Sequence, residues 1–257
     1  MTDPAKRTDA AIEVAGVSKK FGKKVVLDGL DLTVRRGENY VVMGLSGTGK
    51  SVTLKIIAGL LAPDTGTVRV AGIDVVRAKR DDVSRVRESL GFLFQGAALI
   101  KWLSARENVA LPLLEAGVPE DEAEDRAQTL LADVGLAEAA DQMPDELSGG
   151  QRKRVGFARA VAHRPKVILY DEPTTGLDPI TKRTIDDLIS RGRDDYGATG
   201  VVVSHDLRSA VQVGDRIGLL YEGRIIVQGT PKEFLASDHE VVRKFVADGA
   251  AVIGRSQ

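Results

Sequence analysis

One short stretch, Gly44-Leu45-Ser46-Gly47-Thr48-Gly49-Lys50-Ser51, constrains this chain more than any other. It has the spacing G-x-x-x-x-G-K-[ST]. It stands between an apolar run, Asn39-Tyr40-Val41-Val42-Met43, and a segment, Ser51 to Leu61, with Leu54, Ile57 and Leu61 at helical spacing. Strand, glycine loop and helix follow in that order. The glycines let backbone N–H groups wrap a polyphosphate, and the helix start adds unpaired donors and a partial positive charge. Lys50 then suits the β and γ phosphates, and the Ser51 hydroxyl suits Mg²⁺.

A second strand, Val167-Ile168-Leu169-Tyr170, ends in adjacent carboxylates, Asp171 and Glu172. Charges are costly there unless they work at the strand's C-terminal edge, where ligands of α/β sheets bind. Asp171 suits Mg²⁺, and Glu172 suits polarising an attacking water, since phosphoryl transfer needs positioning and charge stabilisation. A second glycine motif, Leu147-Ser148-Gly149-Gly150-Gln151, precedes a helix read from Arg152 to His163 and presents another set of N–H donors at a helix start.

Periodicity sets the fold class as α/β. Ile12 to Val17 and Val25 to Val34 alternate apolar and polar residues around Phe21-Gly22-Lys23-Lys24, which reads as antiparallel β. Pro119 to Val134 is acidic and amphipathic, with Ala123, Ala127, Leu130, Leu131 and Val134 on one helical face. The helical pattern Ile180 to Arg191 separates Val167–Tyr170 from the strand Gly200–Val203, an alternation expected of a parallel sheet covered by helices. Ile217–Leu220 and Arg224–Val227 flank a turn at Glu222-Gly223, and a closing helix runs through Val241, Val242, Phe245 and Val246. The expected organisation is a lead-in over 1–11, one domain over 12–247 with a helical part over about 97–163, and a loose tail over 248–257.

Composition narrows the function classes. With 36 Lys+Arg against 37 Asp+Glu, nothing in the charge balance suggests a nucleic-acid partner. The absence of cysteine excludes disulfides, thiolate metal sites and a cysteine nucleophile. No apolar run approaches the ~20 residues needed to cross a bilayer, and the N-terminus lacks the apolar stretch of a secretory signal. A cytoplasmic location is expected.

Two phosphate-binding glycine motifs in one chain, with the other marks in order, resemble the ATP-binding cassette family, whose signature is LSGGQ. The resemblance covers about Ile12 to Ala247. It implies an ATPase with a RecA-like parallel-sheet core, an antiparallel β subdomain and an α-helical subdomain. It also implies ATP and Mg²⁺ as ligands, and a head-to-tail homodimer in which Ser148, Gly149, Gly150 and Gln151 of one subunit close over the nucleotide held by Gly44 to Ser51 of the other. By the same resemblance Phe21 stacks on adenine, in place of a commoner tyrosine. Gln95 senses Mg²⁺ and the transporter, Asp178 lies in a loop crossing the dimer, and His205 contacts the γ-phosphate. The partner implied is an integral permease, with this chain peripheral on the cytoplasmic face of the inner membrane.

Narrower strings are similar to the ATPases of Mla/Mce-type lipid transporters: Tyr170 to Thr181, the ending Gly49-Lys50-Ser51-Val52 in place of a double hydroxyl, Asn108 to Leu113, and Val241 to Val246. They imply phospholipid cargo and an Mce-domain lipid-binding partner, and leave a small regulatory subunit open. Two alternatives stand beside this: another importer or lipoprotein-release ATPase, and a soluble assembly ATPase similar to the iron–sulfur scaffold cassettes. Trp102, in an atypical segment after Gln95, is read either as an anchor for a permease helix or as an ordinary half-buried Trp.

Overall fold

The structure, a computed structural model, describes residues 9–254. In chain order the elements are β1 (Ala10–Phe21), β2 (Lys24–Arg35), β3 (Asn39–Met43), α1 (Lys50–Ile57), β4 (Thr65–Val70), β5 (Ile73–Asp74), α2 (Arg80–Glu88), β6 (Leu90–Leu93), α3 (Ala105–Glu115), α4 (Glu120–Asp133), α5 (Gly149–Val161), β7 (Val167–Asp171), α6 (Pro179–Asp194), β8 (Thr199–Ser204), α7 (Leu207–Val213), β9 (Arg216–Tyr221), β10 (Arg224–Gly229), α8 (Pro231–Leu235) and α9 (Glu240–Gly254). The chain forms two compact units. One takes the described residues up to Arg87 and those from Val201 onward, and the other is Glu88–Gly200.

In the first unit β1 and β2 form a long antiparallel hairpin with Phe21 opposite Lys24. Alternation sorts β2 so that Leu27, Leu30, Leu32 and Val34 are buried while their neighbours face water. β4 joins β1 antiparallel and β5 joins β4, giving the order β2-β1-β4-β5. β3 is buried along its whole length, as the unbroken apolar run predicts, and pairs parallel with β9 from Tyr40 opposite Arg216 to Met43 opposite Leu219. Arg216 fastens this pairing: it bonds Glu38 at 2.9 Å and lies over the Tyr40 ring. β10 returns antiparallel to β9.

In the second unit β6 and β7 pair in parallel, from Leu90 opposite Val167 to Leu93 opposite Tyr170. α5 packs on β6 and on α6, and α3 and α4 pack on α5 and on each other. α4 buries Ala123, Ala127 and Leu131, and Val134 at its C-cap is buried as well, four of the five residues expected on the apolar face. α3 starts at a reciprocal cap in which Ser104 Oγ accepts from Glu107 N–H and the Glu107 carboxylate accepts from Ser104 N–H. Among the described residues no helix is long and apolar enough to cross a membrane.

Several boundaries move. β1 opens at Ala10, inside the expected lead-in, and α9 carries on to Gly254, past the expected end at 247; residues 1–8 of the lead-in and 255–257 of the tail lie outside the described residues. α1 stops at Ile57 rather than Leu61, because Gly59 takes the left-handed φ of 63°. α5 begins at Gly149, three residues before Arg152, because Ser148 rather than the glycine pair is its cap.

Candidate functional site

The phosphate loop is shaped by contacts that leave no room for side chains. Gly49 caps α1 with φ 106°, and a Cβ there would lie 2.9 Å from Leu27 Cδ2 and 3.0 Å from the Val26 carbonyl. At Gly44 a Cβ would lie 2.7 Å from the Leu220 carbonyl. β2 and β9 thus press the loop from both sides. Lys50 is buried, and its Nζ donates to the carbonyls of Gly44 at 2.8 Å and Leu45 at 3.0 Å, which centres the ammonium inside the loop. Thr48 Oγ1 closes the turn onto Leu45 O at 2.8 Å. Ser46 and Gly47 complete the loop, and Ser51 and Val52 open the first turn of α1, which holds no acidic residue. Beside the loop is an open cavity of about 590 Å³, bounded by Lys20, Val25, Asp28, Leu45, Thr48 and Tyr221 among others.

Two further expected residues lie in the same unit. Phe21 is 49% exposed at the hairpin tip. The Lys19 ammonium sits 5.6 Å from its ring centroid and is held by Asp64 at 2.9 Å, while Asp64 also accepts from Lys20 N–H at 2.7 Å. The Lys19 hydrogen bond holds the Asp64 carboxyl below its ordinary range. One face of the ring is therefore attended by a fixed cation, leaving the other for a stacking partner. His205 is exposed just beyond β8, next to Asp206, whose carboxylate caps α7.

The second unit holds the rest. Asp171 ends β7 and Glu172 follows it, and both are buried, Asp171 at 6% and Glu172 at 9% exposure. Glu172 has φ 47°, a left-handed conformation that costs a non-glycine residue of order 1–3 kcal/mol. Its carboxylate accepts from Thr175 Oγ1 at 3.0 Å, and its carbonyl accepts from Lys153 Nζ at 3.3 Å. Lys153, which sequence reasoning missed, also donates to the carbonyls of Pro173 and, at 3.0 Å, Thr175. Burial pushes its ammonium down to about 8, opposed by the nearby Glu172 charge. No motif in the sequence marks this contact, since the ammonium and its acceptors lie about twenty residues apart.

At the second glycine motif, Ser148 Oγ accepts from Gln151 N–H at 3.2 Å and Gln151 Oε1 accepts from Ser148 N–H at 2.8 Å. These side chains are engaged in capping α5, so the Gly149 and Gly150 N–H groups are the donors at its start. A Cβ at Gly150 would overlap Thr181 Cγ2 of α6, so packing alone favours glycine there. Asp178 caps α6 in turn: Oδ1 accepts from Ile180 and Thr181 N–H at 3.0 and 3.1 Å, and the Thr181 hydroxyl and N–H lower its carboxyl's affinity for protons. Gln95 is exposed after β6, and Ala97 and Ala98 beyond it both have positive φ. Arg159 of α5 holds that bend through the carbonyls of Ala97 at 2.7 Å and Ala98 at 2.9 Å. Trp102 is 79% exposed, so the half-buried reading is corrected.

The donors expected for Mg²⁺ are the Ser51 hydroxyl, the Gln95 amide oxygen and the Asp171 carboxylate. All are hard oxygen ligands of the kind that suits Mg²⁺ bound together with substrate phosphates. Among the described residues no group of three or more His, Cys, Asp or Glu is placed to hold a metal.

The family profile described as ABC transporter matches residues 27–175. The methionine import ATP-binding protein MetN of Leifsonia xyli is 40% identical over 241 residues, covering 92% of this chain and 71% of that protein. The chloroplastic protein TRIGALACTOSYLDIACYLGLYCEROL 3 of Arabidopsis thaliana is 40% identical over 256 residues, covering 93% of this chain and 74% of that one. Among solved structures, the cassette MJ0796 in a dimeric, post-hydrolysis state bound to ADP and Pi superposes with a TM-score of 0.79 at 35% identity, over 86% of this chain and 98% of that one.

Proposed function

The chain belongs to the ABC transporter family as an ATP-hydrolysing subunit, and from that premise we propose that it drives a phospholipid permease of the Mla/Mce type. In this reading the loop amides of Gly44 to Ser51 and the Lys50 ammonium bind the phosphates of ATP, and Phe21 stacks on the base. Glu172 orients the attacking water, with Gln95 and His205 as its catalytic companions. Two copies close head to tail, each offering Ser148, Gly149, Gly150 and Gln151 to the nucleotide of the other, with Asp178 in the loop between them. Ser51, Gln95 and Asp171 would hold Mg²⁺, which when bound neutralises developing charge on the phosphates.

The observation that carries the catalytic part is Glu172: a buried carboxylate on a strained backbone, oriented by a hydroxyl and anchored through its own carbonyl. Local strain of this kind clusters at functional sites. Replacing Glu172 by Gln tests it. Steady-state hydrolysis should fall by roughly a hundredfold or more with ATP affinity kept, and an unchanged rate would remove Glu172 from the mechanism.

The cargo assignment draws on the strings from Tyr170 to Thr181 and from Asn108 to Leu113, and on a relative whose own name is that of a galactosylated diacylglycerol. A second reading, an amino-acid importer, is favoured by the equal identity to a methionine import ATPase. Gentle affinity purification from detergent-solubilised host membranes, with mass spectrometry of proteins and lipids, separates the two. A permease with an Mce-domain protein and bound phospholipid supports the first. A permease with an amino-acid-binding protein and no retained lipid supports the second, and a soluble assembly partner would reject both. Association with the cytoplasmic face of the membrane and any small regulatory subunit belong to the same test.

A further inference from the structure

The hydrolytic carboxylate is anchored from outside its own strand. Within the segment Thr175 meets Glu172 twice, its N–H on the carbonyl at 3.3 Å and its hydroxyl on the carboxylate at 3.0 Å, and Pro173 has no N–H to give. Yet the segment keeps Glu172 at a φ of 47°. What it meets is Lys153, 5% exposed, whose ammonium reaches the carbonyls of Glu172, Pro173 and Thr175. An ammonium has three donors and no acceptor, so three carbonyls saturate it.

Lys153 belongs to α5, and helical spacing puts it on the face of Gly149, one turn below the start of the helix. The same end of α5 meets α6 and the loop before it: Gly150 abuts Thr181, and an added Cβ at Gly149 would come to 3.9 Å from Leu177. One side of α5 thus grips the chain from Glu172 to Thr181, and the glycine N–H donors cap that same helix.

We propose that Lys153 is the positioning residue of the hydrolytic carboxylate, binding the turn 172–175 to α5 so that the Gly149-Gly150 donors and Glu172 move as one body. This rests on the assignment of Glu172 to the attacking water. In a head-to-tail dimer those glycines face the nucleotide of the partner subunit, so Lys153 links the closure of one site to the placement of the carboxylate in the other. Without its three bonds, the left-handed turn relaxes and the carboxylate shifts, while the phosphate loop, whose ammonium is held by its own carbonyls, goes on binding ATP.

The experiment compares the full-length chain with Lys153→Met, which keeps length and removes every donor, and Lys153→Gln, which keeps two donors without charge. Hydrolysis is measured across ATP concentrations, and ATP-driven dimerisation is followed by light scattering for each substitution placed on Glu172→Gln. We expect Lys153→Met to lower kcat about tenfold or more, Lys153→Gln to fall between it and the unsubstituted chain, and KM to stay within about twofold, since small misplacements of a catalytic group cost rate rather than binding. Dimerisation should persist in both, and Lys153→Met should slow Glu172→Gln no further.

Wild-type kcat in both substitutions overturns the proposal. So does a parallel loss of kcat, ATP affinity, dimerisation and thermal stability, which would make Lys153 a fold residue. If Lys153→Met does not fold, Lys153→Gln decides by the same split between kcat and KM. If instead Glu172→Gln hydrolyses ATP at the wild-type rate, the assignment of Glu172 has failed, and that result is distinct from a Lys153 effect missing beside an inactive Glu172→Gln.

Discussion

The phosphate loop and the carboxylate turn both follow a buried strand, and they are held in opposite ways. The loop from Gly44 to Ser51 is shaped by exclusion: β2 and β9 leave no space for a Cβ at Gly49 or Gly44, and Lys50 fills the middle. The turn from Glu172 to Thr175 is shaped by attachment, through Lys153 on another helix and the Thr175 hydroxyl. A device made by exclusion writes itself into consecutive residues. One made by attachment is written in two places that nothing in the sequence connects.

The comparison breaks most sharply at the two charged side chains. Lys50→Ala should abolish both ATP binding and hydrolysis, because it removes the cation around which the loop is organised, and a lost electrostatic contact of this kind costs on the order of a hundredfold or more. Glu172→Gln should lose hydrolysis to a similar degree and keep binding. Equilibrium binding of a fluorescent ATP analogue beside phosphate release separates them. If both substitutions lost binding equally, the loop and the turn would not be independent devices.

Packing at the second glycine motif gives the next effect. Gly150→Ala drives a methyl group into Thr181 and should destabilise the chain by about 1–3 kcal/mol, the usual cost of overpacking. Thr181→Ala in the same chain should restore most of the loss in thermal denaturation. Failure of that rescue would mean that Gly150 serves its ligand alone.

These cases show what was legible. The α/β alternation, the antiparallel hairpin, the acidic amphipathic α4 and the order of strand, glycine loop and helix around Gly44 to Ser51 all follow from periodicity or from a contiguous motif, and the structure has each of them. β4, β5 and α2 were not read from the sequence: Thr65-Gly66-Thr67 interrupts the apolar alternation, β5 has two residues, and α2 is largely polar. The sequence pattern puts the start of α5 at Arg152 because glycines are poor helix formers, while the decisive signal is the Ser148 and Gln151 pair at capping-box spacing. Lys153 and Arg159 fall in the helix read from Arg152 to His163 without any mark of their own, and their carbonyl partners leave no trace in residue type.

Lys153 also ties the carboxylate turn to pH. Its ammonium loses the proton at about 8 in the folded chain against an ordinary 10.5, chiefly through burial, with Glu172 opposing and Lys182 of α6 adding to the shift. Between those values the unfolded chain binds the extra proton, so this group's contribution to stability rises with pH across that window. Relative to Lys153→Gln, the wild-type chain should therefore gain on the order of 1 kcal/mol between pH 7.5 and 9.5, read from denaturant midpoints at each pH. A parallel pH course in the two chains would show that Lys153 keeps its charge throughout.

The smallest effect returns to the first unit and tests whether anything there is held by attachment. Lys19, fixed by Asp64, sits over one face of Phe21, so the ring is oriented by a pair that lies outside the phosphate loop. Lys19 is largely covered but its ring partner is open to water, and a cation over a ring at such a rim is worth about 0.5–1 kcal/mol, so Lys19→Met should weaken ATP binding only about two- to fivefold. Inorganic tripolyphosphate, which has no base to stack, should bind equally well to both chains. In a Phe21→Leu background the Lys19 effect should vanish, because the ring through which it acts is gone. If Lys19→Met weakened tripolyphosphate as much as ATP, the lysine would be acting on the phosphates as a long-range charge, and salt would screen the difference; persistence of the ATP effect without the ring would mean that Lys19 touches the nucleotide itself.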